Sequence, residues 1–547
     1  MEAITASLIL LVAIIVSGQV ARLLPLPIPV PLVQICLGAF LAAVFHIEVE
    51  LNPEIFFLLF LPPLLFLDGW RIPKDGLFKD KGTILELALG LVVFTVLGVG
   101  LFIHWLIPSM PMAVAFALAA ILSPTDPIAV SAIAAKVPIP KRVMHVLEGE
   151  SLLNDASGLV CMRFAVAAAL TGAFSISEAF VTFLWLAIGG IGIGALLTWG
   201  IMKGKDAITR RLGEETGSQI LLSLLIPFGA YLLAEHLHCS GILAAVAAGV
   251  TMSYAEQSGQ LMAVTRVRRS AVWDTVQFTA NGIIFVLLGE QLPRIIAGAK
   301  QVVRETGHHD PIWLLIYIVA INLVLAAMRF FWVWVSLRFT MFRATRRGHA
   351  AIKPSWRLIA AMSLAGVRGA ITLAGILTLP LTLNDGSAFP ARDLAILLAA
   401  GVIILSLVAA SIGLPMVLKG LRLPPEPRHT KNEDDVRRTA AKRAIRAVEQ
   451  VQHEKGGTQG PDMHLYADAA ARIMELYRLR IDGQNKTMEE AEESRRMERI
   501  ERELRLAALR AEREEIYSAG RARKLADDVV RKMVKDIDLL EARLLSS

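Results

Sequence analysis

Cysteine is scarce: three occur in 547 residues, Cys36, Cys161 and Cys239, far apart in the chain. They offer neither a disulfide framework nor zinc-type spacing, so all three read as small buried residues. Charge is missing from most of the sequence. Residues 419–547 hold 28 of the 56 Lys+Arg and 25 of the 49 Asp+Glu, so about a quarter of the length carries half of the charge. With the whole chain 55% hydrophobic, the charge-poor residues 1–418 read as a membrane domain. No nucleotide loop, metal motif or recognisable Ser/His/Asp nucleophile motif is present, so nothing points to an enzyme or a cofactor. The net charge of +7 calls for no nucleic-acid partner, because just over half of the excess sits in the membrane part as loop Lys/Arg. No Lys or Arg precedes the first apolar run and no A-x-A site follows it. Residues 4–24 therefore read as a transmembrane helix rather than a signal peptide.

What is there is a series of apolar segments, each about 20 residues long as a bilayer requires. They fall at 4–24, 28–45, 53–70, 83–106, 111–134, 145–171, 178–202, 217–235, 239–255, 270–292, 312–337, 357–379 and 393–418, thirteen in all. The loops support this alternation. With the C-terminal tail in the cytoplasm, 21 basic residues fall in inside loops or at their edges and four (Arg294, Lys300, Arg304, Arg392) fall outside. That bias places the N-terminus outside. An odd count suits two inverted six-helix repeats plus one linking helix, with spans 5 and 12 as counterparts. The expected fold is an all-α polytopic membrane protein. Residues 1–420 form the transmembrane domain, and 421–547 form a helical cytoplasmic tail.

The stretch from 121 to 158 is the anomaly, because Asp126, Glu148, Glu150, Asn154 and Asp155 lie at or near membrane depth. A carboxylate there is costly and by default marks an ion or proton path. Span 5 reads Ser123-Pro124-Thr125-Asp126-Pro127. Each proline removes a backbone donor and disfavours helix just before it, so an unwound segment is expected. Carbonyls near Thr125 and the Asp126 carboxylate then become oxygen ligands. The alternative is a plain proline kink with Asp126 capping the restarted helix. On span 6, at about 100° per residue from Glu150, Asn154 falls near 40°, Ser151 near 100°, Asp155 near 140° and Ser157 near −20°. These groups share one broad face. Oxygen ligands with one or two negative charges suit a hard monovalent cation or a proton. Helix–helix hydrogen bonding could use Ser151, Ser157 and Asn154, but not the carboxylates.

A Glu150 at full depth needs a partner or a proton. Arg329 in span 11 and Arg368 in span 12 both qualify, because neither lies near a helix end. Gly366, Gly369 and Gly375 would let span 12 unwind or be crossed closely. Asp274, Gln277 and Asn281 form a polar stripe on span 10, as a cavity wall or a hinge contact. Asp68 and Glu290 lie near span ends, where they can reach water, and Glu86 starts span 4. Arg163 falls near 220° on span 6, away from the ligand face, and the sequence gives no account of it. In the tail, helical stretches are expected at 432–452, at 463–481 and, as a long helix or hairpin, over 486–545.

Thr125-Asp126-Pro127, the run Gly149-Glu150-Ser151-Leu152-Leu153-Asn154-Asp155, and Gly366-Val367-Arg368-Gly369-Ala370 resemble the monovalent cation:proton antiporter-1 family. That family contains the NhaP-type and Na⁺/H⁺ exchanger-like antiporters. The likeness covers residues ~4–420 in motif order and span number. It implies that Asp155 binds Na⁺ (or Li⁺) or a proton, and that Asp126 and the Thr125 carbonyl contribute from the unwound span. Glu150 and Ser151 would complete the site, beside Asn154. The resemblance favours Arg329 as the partner of Glu150, with Arg368 holding the crossing region. It further implies one-for-one electroneutral exchange, no cofactor beyond the transported Na⁺ and H⁺, and a homodimer in the cell membrane. Potassium/proton or mixed cation exchange is the alternative, and an ion channel stands further off.

Overall fold

The computed structural model describes residues 2–24, 28–45, 53–71, 82, 86–126, 141–171, 176–213, 215–256, 263–306, 310–346, 356–383, 385–419, 430–456, 463–482, 488–522, 525 and 527–546. Among them every regular element is a helix, apart from one isolated β-bridge between Thr382 and Ala388. In lipid a helix satisfies its own backbone, and that dictates this choice. The chain divides into two compact units, Met1–Arg422 and Leu423–Ser547.

The first unit runs α1 (Glu2–Leu23), α2 (Val30–Phe45), α3 (Pro53–Arg71), a π-helical turn (Glu86–Leu91) leading into α4 (Val92–Leu106), α5 (Met112–Leu122) and α6 (Lys141–Thr171). It continues with α7 (Ile176–Leu212), α8 (Thr216–His236), α9 (Gly241–Glu256), α10 (Ala263–Glu305), α11 (Ile312–Arg346), α12 (Trp356–Leu364), α13 (Ala370–Leu377) and α14 (Arg392–Leu418). Each apolar segment read from the sequence coincides with one helix, a helix with its π-helical turn, or a pair of half-helices, except 111–134, of which α5 covers the first half and residues 127–134 lie outside the described residues. Several helices overrun their apolar windows. The segment expected at 178–202 is helical over Ile176–Leu212, because Lys203, Lys205, Arg210 and Arg211 continue the helix beyond its apolar part. Among the described residues seven helices are long and apolar enough to cross a membrane, and shorter apolar helices such as Met112–Leu122 and Gly241–Glu256 accompany them.

Burial is distributed as lipid would demand. Helix α5 is sheathed on every side, with Val114, Ala115 and Ala117 through Leu122 all buried. Its small side chains let α4 and α6 approach it closely. By contrast α7 exposes Val181, Trp185, Ile188, Ile191, Leu196 and Trp199, a bilayer-facing surface. Around α5 stand α4, α6 and, through α13 and α14, the second broken segment. A second group packs α2 on α10, α3 on α9 and α9 on α7. Helices α3 and α6 meet between the groups.

The cysteines need one correction. Cys239 is buried, but Cys36 is exposed on α2 and Cys161 is only half-buried. A thiol is a small, weakly polar group, so contact with lipid costs Cys36 little.

The second unit contains α15 (Thr430–Gly456), α16 (Met463–Asp482), α17 (Met488–Arg521) and α18 (Asp527–Ser546). Helices α17 and α18 form a hairpin around Ile516, Val530, Val534 and Ile537. Arg513 binds Glu541, and that bond holds its guanidinium pKa above the ordinary value.

Candidate functional site

Helix α5 stops at Leu122. Ser123, Pro124, Thr125 and Asp126 follow without helical structure, as two closely spaced prolines predict. Pro127 and the continuation to 134 lie outside the described residues. Across the molecule α12 ends at Leu364 and α13 restarts at Ala370, so the residues between them are open as well. The two open segments join where the Asp126 N–H donates to the Val367 carbonyl at 2.7 Å. Gly369 makes this crossing possible, since a Cβ there would overlap the Asp126 carboxylate.

Arg368 holds the crossing and is buried. Its Nε donates to the Leu122 carbonyl at 2.9 Å, and its Nη1 donates to the Gly366 carbonyl. Its backbone N–H donates to Ser406 Oγ on α14 at 3.2 Å. Leu122 ends α5 and Gly366 lies just past α12. The guanidinium therefore sits where two helix C-termini leave carbonyls without intrahelical donors, and where two dipoles turn negative. Its hydrogen bonds go to carbonyl oxygens.

Glu150, at 0% exposure, is held by Arg329, at 3%. The pair is a two-pronged fork, Nη1 to Oε1 at 2.5 Å and Nη2 to Oε2 at 2.8 Å. The Arg329 Nε donates to the Met362 carbonyl near the end of α12 at 3.0 Å, so one side chain ties α11, α6 and α12. Gly366 leaves room for it, because a Cβ there would press on the Arg329 Cδ at 2.7 Å.

A relay extends from this fork. Thr125 Oγ1 donates to Glu150 Oε1 at 3.4 Å, and Asn154 Nδ2 donates to Thr125 Oγ1 at 3.1 Å. Asn154 is thereby oriented by its amide nitrogen. Its Oδ1 is left buried with no hydrogen-bond donor. Beside it on α6 sits Asp155, buried, with Ser151 one turn earlier and also buried. Buried carboxylates beside an unsatisfied carbonyl oxygen call for a positive charge, either a proton or a cation. The donor set is entirely oxygen, which suits a hard cation. Ser157, on the same face, spends its hydroxyl on the Leu153 carbonyl at 2.8 Å.

The structure thus brings Thr125, Glu150, Asn154 and Arg329 into one hydrogen-bonded group, with Ser151 and Asp155 on the same stretch of α6. Asp126 lies half-buried at the crossing. The side chain of Glu148 lies outside the described residues. Asp68 is half-buried on α3. Two features went unread in the sequence. Arg163 pairs with Glu235 of α8 at 2.8 Å. The polar stripe of α10 receives Arg71, which donates to Gln277 Oε1 at 2.7 Å and pairs with Asp274.

Comparison with known proteins follows the same lines. The profile of the family described as "Sodium/hydrogen exchanger, transmembrane" matches residues 7–420. An uncharacterised Na⁺/H⁺ exchanger of Escherichia coli K12 is 40% identical over 550 residues, covering 100% of this chain and 99% of its own. A sodium, potassium, lithium and rubidium/H⁺ antiporter of Bacillus pumilus is 46% identical over 420 residues, 76% of this chain and 61% of that one. Its namesake in Bacillus subtilis is 37% identical over 551 residues, covering 99% and 78%. In fold, the chain is similar to the sodium proton antiporter of Methanocaldococcus jannaschii, with a TM-score of 0.57 at 20% identity over 77% of this chain and 99% of that one.

Proposed function

The chain belongs to the sodium/hydrogen exchanger family, and on that premise we propose that it exchanges Na⁺ (or Li⁺) for H⁺ at a single site centred on Asp155. The observation that carries this reading is the buried Asp155 beside the unsatisfied Asn154 Oδ1, at the crossing of two broken helices. Cation and proton compete there. With Asp155 protonated, the site lacks the charge that holds a cation; with a cation bound, the proton leaves. Asp126, Ser151 and the Thr125 carbonyl supply further oxygens. Glu150 is paired with Arg329 and accepts from Thr125, which in turn accepts from Asn154. One carboxylate at the Asn154–Asp155 pair gives one proton for one cation, an electroneutral cycle. Alternating access follows from movement of the crossing helices against the group containing α2, α3, α9 and α10. The protein sits in the cell membrane as a homodimer with its N-terminus outside. Residues 1–420 carry transport, and the cytoplasmic tail 421–547 regulates it.

A second reading, mixed exchange that includes K⁺, is favoured by the names of the two Bacillus relatives. Oxygen ligands alone do not separate the two. Proteoliposomes loaded with a pH-sensitive dye and given Na⁺, Li⁺ and K⁺ in turn decide the ion. Proton flux that is unchanged when the membrane potential is clamped supports one-for-one exchange. A steady current without counter-transport would identify a channel and overturn the reading.

A further inference from the structure

Arg163 has no place in the cation site, yet it lies on the same helix as Asp155, about 12 Å further along α6. A cavity of about 460 Å³ opens beside it, lined by Leu58, Leu159, Met162, Arg163, Tyr231 and Thr378 among others. Leu159 is one turn from Asp155, so the cavity floor reaches the neighbourhood of the site. The cavity lies between the site-bearing α6 and α13 on one side and α3, α8 and α9 on the other. It is directed away from Lys141 and Arg142 at the start of α6, which places it on the outer side in the proposed orientation.

Arg163 Nη2 donates to Glu235 Oε1 at 2.8 Å, and the side chains are 37% and 33% exposed. The same Oε1 accepts the N–H of Gly241 at 3.2 Å. Gly241 opens α9, so Glu235 is anchored to α8 and α9 independently of Arg163. Were the crossing helices to carry α6 with them against the group containing α9, Arg163 would move while Glu235 stayed with α9. The pair therefore connects the helix that carries Asp155 to the helices that do not. Its charges also have opposite consequences for a cation in the cavity. Arg163 alone would repel it, and Glu235 alone would attract it.

We propose that this cavity is the outer cation passage and that the Arg163–Glu235 pair is its latch: closed, it neutralises the passage; open, it exposes Glu235 as the carboxylate that collects the incoming cation. The proposal rests on Asp155 as the transport site, and the test separates the two. Full-length Glu235→Gln is reconstituted, and Na⁺-driven proton flux is measured with Na⁺ offered at each face in turn. Leaving Arg163 unneutralised should raise the outer-face KM roughly tenfold or more, the scale on which one sign of charge changes local ion concentration in a cleft. The inner-face KM should move far less. Arg163→Gln should shift the outer-face KM the opposite way, below wild type, and Arg163→Gln/Glu235→Gln should return it close to wild type. Equal shifts at both faces, shifts of the same sign in the two single variants, or a double variant as impaired as Glu235→Gln would overturn the latch. Should Glu235→Gln fail to fold, the sign of the Arg163→Gln shift decides alone. Wild-type flux in Asp155→Asn would instead remove the transport site and leave the latch without its premise.

Discussion

Of the arginine–carboxylate pairs within the membrane unit, two that involve α6 differ in almost every respect. Glu150–Arg329 is fully buried, two-pronged and further tied by the Arg329 Nε to a helix end. Glu235–Arg163 is about one-third exposed and joined through one carboxylate oxygen. Desolvation makes the first pair all-or-none. Neither partner is tolerable without the other, so in the proposed cycle the pair is architecture that persists through transport. The second pair is near water, its separation costs little, and it can open and close each cycle. One residue pairing, placed at two depths, gives a strut and a latch.

Stability measurements can break this contrast. Arg329→Leu leaves Glu150 buried and uncompensated and should cost about 3–5 kcal/mol. Thermal unfolding of the purified protein would read this, and a negligible loss would put both pairs on the same footing. Replacing both residues, Glu150→Leu/Arg329→Leu, should restore much of that stability, because an apolar pair can substitute for a buried ionic one. It should still abolish exchange, since Thr125 and Asn154 lose their anchor; preserved flux would show that the relay is dispensable. Arg163→Gln should lower stability by less than about 1 kcal/mol, as expected for a pair screened by solvent, while changing transport kinetics. The smallest effect is expected from deleting 430–547. The melting of the membrane unit and its cation-driven flux should persist, while regulation of that flux is lost; loss of flux itself would make the tail part of the transport machinery.

Much of the fold was legible because lipid imposes one rule, that apolar residues run for the width of a bilayer. Helix ends were less so. Residues 263–269 of α10 and 338–346 of α11 are helical but punctuated by arginines (Arg266, Arg268 and Arg269; Arg338, Arg343 and Arg346), and hydropathy sees only the apolar window inside such ends. The break at Ser123 was readable from two prolines, and its counterpart near Gly366 from glycines around a buried arginine. Partnership was another matter. From the residues alone Arg329 and Arg368 both qualified as partners for Glu150, and only the resemblance favoured Arg329. What separates them is position: Arg368 stands at two helix C-termini, a location created by the crossing itself. Glu235 lies 72 residues from Arg163 at a helix end, where a carboxylate normally meets water, so no local pattern joined them.

The central claim is that Asp155 alternately holds a proton and a cation. Its most direct test is Asp155→Asn in proteoliposomes, with cation-induced proton flux measured for Na⁺, Li⁺ and K⁺ and thermal stability measured alongside. The account predicts a folded protein with no flux for any of the three ions. Flux at the wild-type rate would contradict it.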